Sequence, residues 1–219
     1  MDFAIIFDMD GVIVESMPYH IEAWRLFCSK YDFKLAEKEL RELLHGKTTR
    51  SILQNLFGKD ISEEEIKQYT AEKGDFYRGL ASEKIQPVRG VDAFLDRLKE
   101  NNIPIAIGTS ATPENVSFVM DELRLKDYFH AVVDSSQVSR SKPDPEVFLK
   151  AAEKLRIEPS RCIVFEDALA GVEAARRAGM KVIALATTHP KEELNKADLV
   201  IEDFSEMNIE KIKRFLKQS

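Results

Sequence analysis

Phe3-Ala4-Ile5-Ile6-Phe7-Asp8-Met9-Asp10-Gly11-Val12 is a short apolar run that ends abruptly in two aspartates and a glycine. Branched and aromatic residues with turn chemistry directly behind them describe a strand buried on both faces. Acid therefore stands at the mouth of a buried strand. In extended geometry Asp8 and Asp10 are two apart and project to one side. Two carboxylates roughly 4 Å apart repel by about 4 kcal/mol at an effective dielectric of about 20, so they call for a proton, a cationic side chain or a metal between them. A pair of solvated turn aspartates reads the same way over this segment, and the rest of the chain must decide.

Outward from that strand, Tyr19 to Tyr31 carries Ile21, Trp24, Leu26 and Phe27 at helical spacing. Helix signal alone continues through Leu35 to Leu44, Thr48 to Phe57 and Ser62 to Leu80, where Ser62 and Glu65 make a capping-box start. From Pro87 the pattern alternates. Helices are expected at Val91 to Lys99, Glu114 to Leu123, Pro145 to Leu155, Ala168 to Ala178 and Ile209 to Leu216. Between them lie strand candidates at Ile103 to Gly108, Ala131 to Val133, Cys162 to Phe165, Val182 to Leu185 and Leu199 to Ile201. This alternation predicts an α/β fold with a doubly wound parallel sheet. The first strand needs that sheet for burial, so the expected core is residues 1–14 and 84–219, with a small helical domain inserted over 15–83.

The 219 residues are enough for such a core, and a net charge of -6 with intermingled signs offers no basic stripe for nucleic acid. Cys28 and Cys162 lie far apart without metal-ligand spacing and suit the core of a protein from a reducing compartment. No signal-type start and no run of about 18 apolar residues occurs, so the reading is cytoplasmic with no membrane partner; a monomer is the expectation.

Ligands of open α/β sheets bind beyond the carboxyl ends of the strands. There this chain places Asp8-Met9-Asp10, Thr109-Ser110 and Glu166-Asp167, with Lys142-Pro143-Asp144 in the loop before a crossover helix. Acids, hydroxyls and one lysine so placed suit a divalent cation plus a phosphate. Magnesium takes hard oxygen ligands and keeps waters, which Asp8, Asp167 and a backbone carbonyl could complete, with Glu166 close by or bound through water. Thr109 and Ser110 can donate to phosphate oxygens at a helix start. Lys142 is a point charge able to hold both a nucleophilic carboxylate and a phosphate. Asp144 is either an acid near the metal or a helix cap before Pro145.

Four motifs in order, Asp8-Met9-Asp10-Gly11-Val12, Thr109-Ser110, Lys142-Pro143-Asp144-Pro145 and Glu166-Asp167-Ala168 with Gly171, make the whole chain resemble a haloacid dehalogenase-superfamily phosphotransferase, more narrowly the β-phosphoglucomutase-like phosphatases. The resemblance implies a Rossmann-like core with a helical cap, Asp8 as nucleophile and Asp10 as general acid/base. It also implies a magnesium ion on the Asp8 carboxylate, the Asp10 carbonyl and Asp167, with Glu166 nearby. Thr109 and Lys142 are the further catalytic candidates, and Ser110, Ala111 and Asn115 are expected at the phosphate. Asp10 makes chemical sense independently, because a leaving alkoxide needs a proton and the aspartyl phosphate then needs a base.

Specificity is expected on the cap, where His20, Trp24, Gly46, Lys47, Arg50 and Lys73 are the candidates. His20 lies ten residues after Asp10 with Trp24 four further on, the spacing of β-phosphoglucomutase, and Lys73 likewise falls where that enzyme has a lysine. Otherwise His20 is an ordinary N-terminal helix residue. The chain departs from the mutase at Thr49, where the mutase pattern has an arginine; Arg50 is rotated about 100° away on a helix. Asn115 matches only after a one-residue insertion. The expected activity is hydrolysis of a small phosphorylated metabolite, a sugar phosphate, with a mutase and an inorganic pyrophosphatase as alternatives. A non-catalytic phosphate-binding or receiver-like module is the rival from another class; a receiver would carry its phosphorylated aspartate after the third strand, where only Ala131-Val132-Val133-Asp134 is on offer, and magnesium-dependent turnover separates a silent binding protein from an enzyme.

Overall fold

The computed structural model describes residues 3–44 and 48–217, and the side chains of all these except 41 and 42. The chain divides into two compact units, Met1–Glu15 with Gln86–Ser219, and Ser16–Ile85. The borders fall one to two residues beyond the expected 14/15 and 83/84, because the two connecting segments pair with each other. The Glu15 N–H donates to the Gln86 carbonyl and Val88 N–H to the Ile13 carbonyl, both at 2.9 Å.

The first unit is built on a parallel sheet in the order β3-β2-β1-β4-β5-β6. Its strands are β1 (Ala4–Phe7), β2 (Ile105–Gly108), β3 (Ala131–Val133), β4 (Cys162–Glu166), β5 (Lys181–Leu185) and β6 (Leu199–Ile201). β1 is central, with Ile5 opposite Ile105 on one side and Ile163 on the other. Both of its faces are covered, which is why its sequence is an unbroken apolar run. Ala4 and Ile6 join one core cluster with Ala106, Val164 and Val182. On the opposite face Phe7 stacks on Phe165, with centroids 5.2 Å apart, and meets Phe94 and Phe204.

Strand β2 is shorter than expected by Ile103 and Pro104. The Ile103 N–H is spent on the Leu98 carbonyl, closing the preceding helix, and proline has no N–H to give a ladder. The helices of this unit are α5 (Val91–Glu100), α6 (Pro113–Glu122), α7 (Glu146–Leu155), α8 (Leu169–Arg177) and α9 (Ile209–Lys217). Gly179, at φ +72°, donates to the Arg176 carbonyl just past α8, as expected of a closing glycine.

The second unit contains α1 (Met17–Lys30), α2 (Glu37–Leu44), α3 (Thr49–Phe57) and α4 (Glu63–Ala81). α1 starts two residues earlier than Tyr19, since Pro18 needs no N–H partner in a first turn. Ser62 and Glu65 form the expected capping box on α4, an arrangement typically worth about 1 kcal/mol. Trp24, Phe27, Leu40, Ile52, Leu53 and Ile66 make a separate core. Among the described residues no helix is long and apolar enough to cross a membrane.

Candidate active site

The carboxyl ends of β1 and β4 are neighbours, and their ladder runs one step past Phe7: the Asp8 N–H donates to the Phe165 carbonyl at 2.9 Å. Asp8 is thereby held beside Glu166 and Asp167. One carboxylate oxygen from each of these three buried acids lies within 4.8 Å of the others. Past Asp8 the chain turns tightly, because the Met9 carbonyl accepts from Ile13 at 2.9 Å and from Val14 at 3.2 Å. Gly11 sits in that turn at φ +75°, and a Cβ there would stand 1.9 Å from Asp167 Oδ2.

Lys142 enters from the loop before α7. Its ammonium lies 2.7 Å from Asp8 Oδ1, 2.7 Å from Glu166 Oε1 and 4.6 Å from the centroid of the Phe148 ring. Burial alone would weaken its hold on a proton, but the charges of Asp8 and Glu166 outweigh that, and it stays an ammonium. Three carboxylates thus face one ammonium, and negative charge is left over. Burial pushes the Asp8 carboxyl up to about 7, against the attraction of Lys142 and with the repulsion of Glu166 and Asp10. Burial, then Glu166 and Asp8, raise Asp167 well above the usual carboxylate range, while a hydrogen bond from Thr188 pulls the other way.

Glu166 is the most tightly held of the three. Its Oε2 accepts the Asp167 and Ala168 N–H groups, both at 2.7 Å, and its Oε1 takes Lys142. The backbone of α8 presses against it, so a Cβ on Gly171 would come within 1.7 Å of Oε1. By contrast, Asp8 and Asp167 each keep one oxygen that meets no hydrogen-bond donor among the described residues. An all-oxygen, acid-rich cluster with surplus negative charge fits a hard divalent cation.

Thr109 follows β2; its N–H donates to the Val133 carbonyl at 2.9 Å and its hydroxyl accepts from the Ala111 N–H at 3.1 Å. Ser110 is exposed and Ala111 half-buried in the loop leading to α6. Thr112 caps that helix by accepting the N–H of buried Asn115 at 3.5 Å. The unpaired N–H groups of such a first turn favour an anion. Asp144 Oδ1 accepts the Glu146 N–H and its Oδ2 pairs with Arg140, each at 3.1 Å, which makes it a local organiser of the α7 start, outside the three-acid cluster.

In the helical unit, His20 and Trp24 lie four apart on α1, and Lys73 and Tyr77 four apart on α4. The Lys73 ammonium is 2.6 Å from His20 Nδ1 and stands over the rings of Trp24 and Tyr77. An ammonium only donates, so the His20 ring accepts at Nδ1 and carries its proton on Nε2. The ring stacks on Tyr77, with centroids 4.0 Å apart. Arg50 makes a two-pronged pair with Glu63 at 2.5 and 2.6 Å. Gly46 and Lys47 lie outside the described residues.

Sequence reasoning passes over Tyr77, Glu146, Thr187 and Thr188. The two threonines follow β5, and the strand-end rule that singles out Thr109 and Asp167 finds them once it is applied to that strand.

A doubly wound sheet with acids at the ends of its first and fourth strands, bound by a lysine, is an arrangement suited to phosphoryl-transfer chemistry. The chain belongs to the haloacid dehalogenase-like hydrolase family, whose model matches residues 5–185, and within it to the β-phosphoglucomutase-like phosphatases. It is 33% identical over 217 residues to a β-phosphoglucomutase of Bacillus subtilis, covering 94% of this chain and 92% of that one. To a fructose-1-phosphate phosphatase of Escherichia coli it is 31% identical over 179 residues, 82% of this chain and 94% of the relative. Among solved structures, a family IA hydrolase of Entamoeba histolytica superposes with a TM-score of 0.91 at 31% identity, covering 98% of this chain and 99% of that one.

Proposed function

We propose that this protein is a magnesium-dependent phosphatase of a small sugar phosphate, working through a phosphorylated Asp8. The observation that carries the reading is the buried cluster of Asp8, Glu166 and Asp167 around the Lys142 ammonium. The names of its relatives, a β-phosphoglucomutase, a fructose-1-phosphate phosphatase and a phosphatase of phosphorylated carbohydrates, support a phosphorylated sugar as substrate.

The substrate phosphate is held at the first turn of α6 by Thr109, Ser110, the Ala111 backbone and Asn115, and by Lys142. An Asp8 oxygen attacks phosphorus, the bond from phosphorus to the ester oxygen breaks, and Asp10 gives its proton to the departing alkoxide. Asp10, now a carboxylate, takes a proton from water; that water attacks the phosphoryl group, the bond to Asp8 breaks, and inorganic phosphate leaves. Lys142 keeps Asp8 oriented and offsets charge on the phosphoryl oxygens throughout. Asp8, Asp167 and the Asp10 carbonyl would hold the magnesium ion, with Glu166 beside them; it would supply positive charge that keeps Asp8 ionised and neutralises the transferring group. We assign the helical unit the role of cap, with His20, Trp24 and Lys73 as its residues for recognising the sugar.

Mutase activity is the second reading, favoured by the His20–Lys73 pair on facing helices and by the β-phosphoglucomutase relative. Against it stands Arg50, already engaged by Glu63.

A phosphate-release screen with magnesium across sugar phosphates, nucleotides and pyrophosphate tests the proposal. β-Glucose 1-phosphate with a trace of its 1,6-bisphosphate is run alongside for isomerisation. Release from a sugar phosphate, abolished in Asp8→Asn, supports it. Isomerisation with little free phosphate supports the mutase, and turnover that survives Asp8→Asn overturns both.

A further inference from the structure

The segment after β5 also reaches the acidic cluster, at Asp167. Thr187 and Thr188 follow the strand closely, and both side chains are exposed. The Thr187 hydroxyl donates to the Gly11 carbonyl at 2.6 Å, tying two segments 176 residues apart. The Thr188 hydroxyl donates to Asp167 Oδ2, and no other donor meets that carboxylate among the described residues. Gly11 closes the remaining side: a Cβ there would stand 1.9 Å from Asp167 Oδ2 and 2.9 Å from Thr188 Oγ1. One Asp167 oxygen is therefore boxed between a hydroxyl and a glycine, and the other meets no donor among the described residues.

We propose that Thr188 is a positioning residue for the cation site, fixing the rotation of the Asp167 carboxylate so that one oxygen is presented to a hard divalent cation. The inference rests on the proposed cation site and adds a residue to it. A carboxylate torsion is broad and roughly two-fold, so an unanchored Asp167 would have to be ordered each time an ion bound. The hydroxyl does that ordering beforehand. Groups that hold a ligand from behind typically contribute about 10- to 100-fold in metal affinity. Thr187 matters indirectly, because its bond to Gly11 keeps the segment carrying Thr188 against the Asp8–Val14 turn.

The test is calorimetric titration of magnesium chloride into metal-free protein without substrate, for wild type, Thr188→Val, Thr188→Ala and Thr188→Ser. Both hydroxyl-free variants are expected to bind magnesium about 10- to 100-fold more weakly. Thr188→Ser should bind close to wild type, and affinities are compared at a temperature where every metal-free variant is fully folded, since loss of the hydroxyl leaves a buried carboxylate without that donor. In steady state the magnesium requirement should rise in Thr188→Val while the rate at saturating magnesium is kept. Equal magnesium affinity in wild type and Thr188→Val would overturn the inference and leave the cation reading intact, as would a Thr188→Ser that binds as weakly as Thr188→Ala. Wild-type protein that releases phosphate yet binds no divalent cation would overturn the cation reading itself, and this inference with it.

Discussion

Lys142 and Asp8 are 134 residues apart in the chain, and their side chains meet at 2.7 Å. The contact is buried, with 8% and 10% of the two side chains exposed, so neither charge has water to fall back on. Each depends on the other, and Glu166 shares the same ammonium.

Replacing that ammonium should therefore cost stability as well as rate. Lys142→Met keeps the bulk over Phe148 but strands two buried carboxylates, and loss of one partner from a buried pair typically costs about 3–5 kcal/mol. Urea unfolding in the presence of chelator should give a smaller loss near about pH 6 than near about pH 8, because protonation of Asp8 relieves part of it. Phosphate release should fall at both values.

Magnesium and protons should compete for Asp8. Burial raises its carboxyl from 3.8 to about 7, so the metal-free fold holds a proton that the unfolded chain gives up. That contribution to stability is complete below the unfolded value and is lost as pH rises through about 7. Cation binding needs the ionised form, so calorimetric affinity for magnesium should climb with pH through about 7, by up to about tenfold per unit for each proton displaced, and keep rising while Asp167 gives up its own proton. An affinity flat from about pH 5 to about pH 8 would contradict the raised carboxyl.

Gly171→Ala should act on Glu166. The added methyl would meet Oε1 at 1.7 Å, and α8 must shift or the carboxylate must leave Lys142. A loss of about 1–3 kcal/mol in unfolding free energy is expected, together with slower phosphate release. Unchanged activity and melting would mean that Glu166 does not need its present position.

Glu146 should govern the loop that delivers Lys142. Its Oε2 accepts from the Ser139 N–H at 3.0 Å, the Ser139 hydroxyl at 2.7 Å and the Arg140 N–H at 3.0 Å, while Oε1 pairs with Lys150. Hydrogen bonds from Lys150 and then Ser139 hold its carboxyl down at about 2. In Glu146→Ala the amides of Ser139 and Arg140 should exchange faster with deuterium, and activity should fall without loss of magnesium binding. Unaltered exchange would mean that the loop is held by other contacts.

What the chain discloses by reading alone follows the range of the physics. β1 is legible because both-face burial writes an unbroken apolar run, and α4 because Ser62 and Glu65 interact locally. Asp8, Thr109, Glu166 and Asp167 are found because a strand-end rule needs only backbone topology. The start of β2 escapes such reading because Ile103 serves the Leu98 carbonyl of the preceding helix, a preference that apolar character does not reveal. Side-chain partners across long loops are hidden for the same reason. Nothing local marks Glu63 as the partner of Arg50, Tyr77 as the ring beneath His20, or Thr188 as the donor to Asp167.

The paired segments Ile13–Glu15 and Gln86–Val88 give the inserted helices a single point of departure and return. A guest whose two ends are already side by side adds little closure entropy to its host, whatever its length. The host sheet can therefore keep its strand order and its acids while the guest is lengthened, shortened or traded for another. A laboratory graft at the same pair of segments would inherit that freedom.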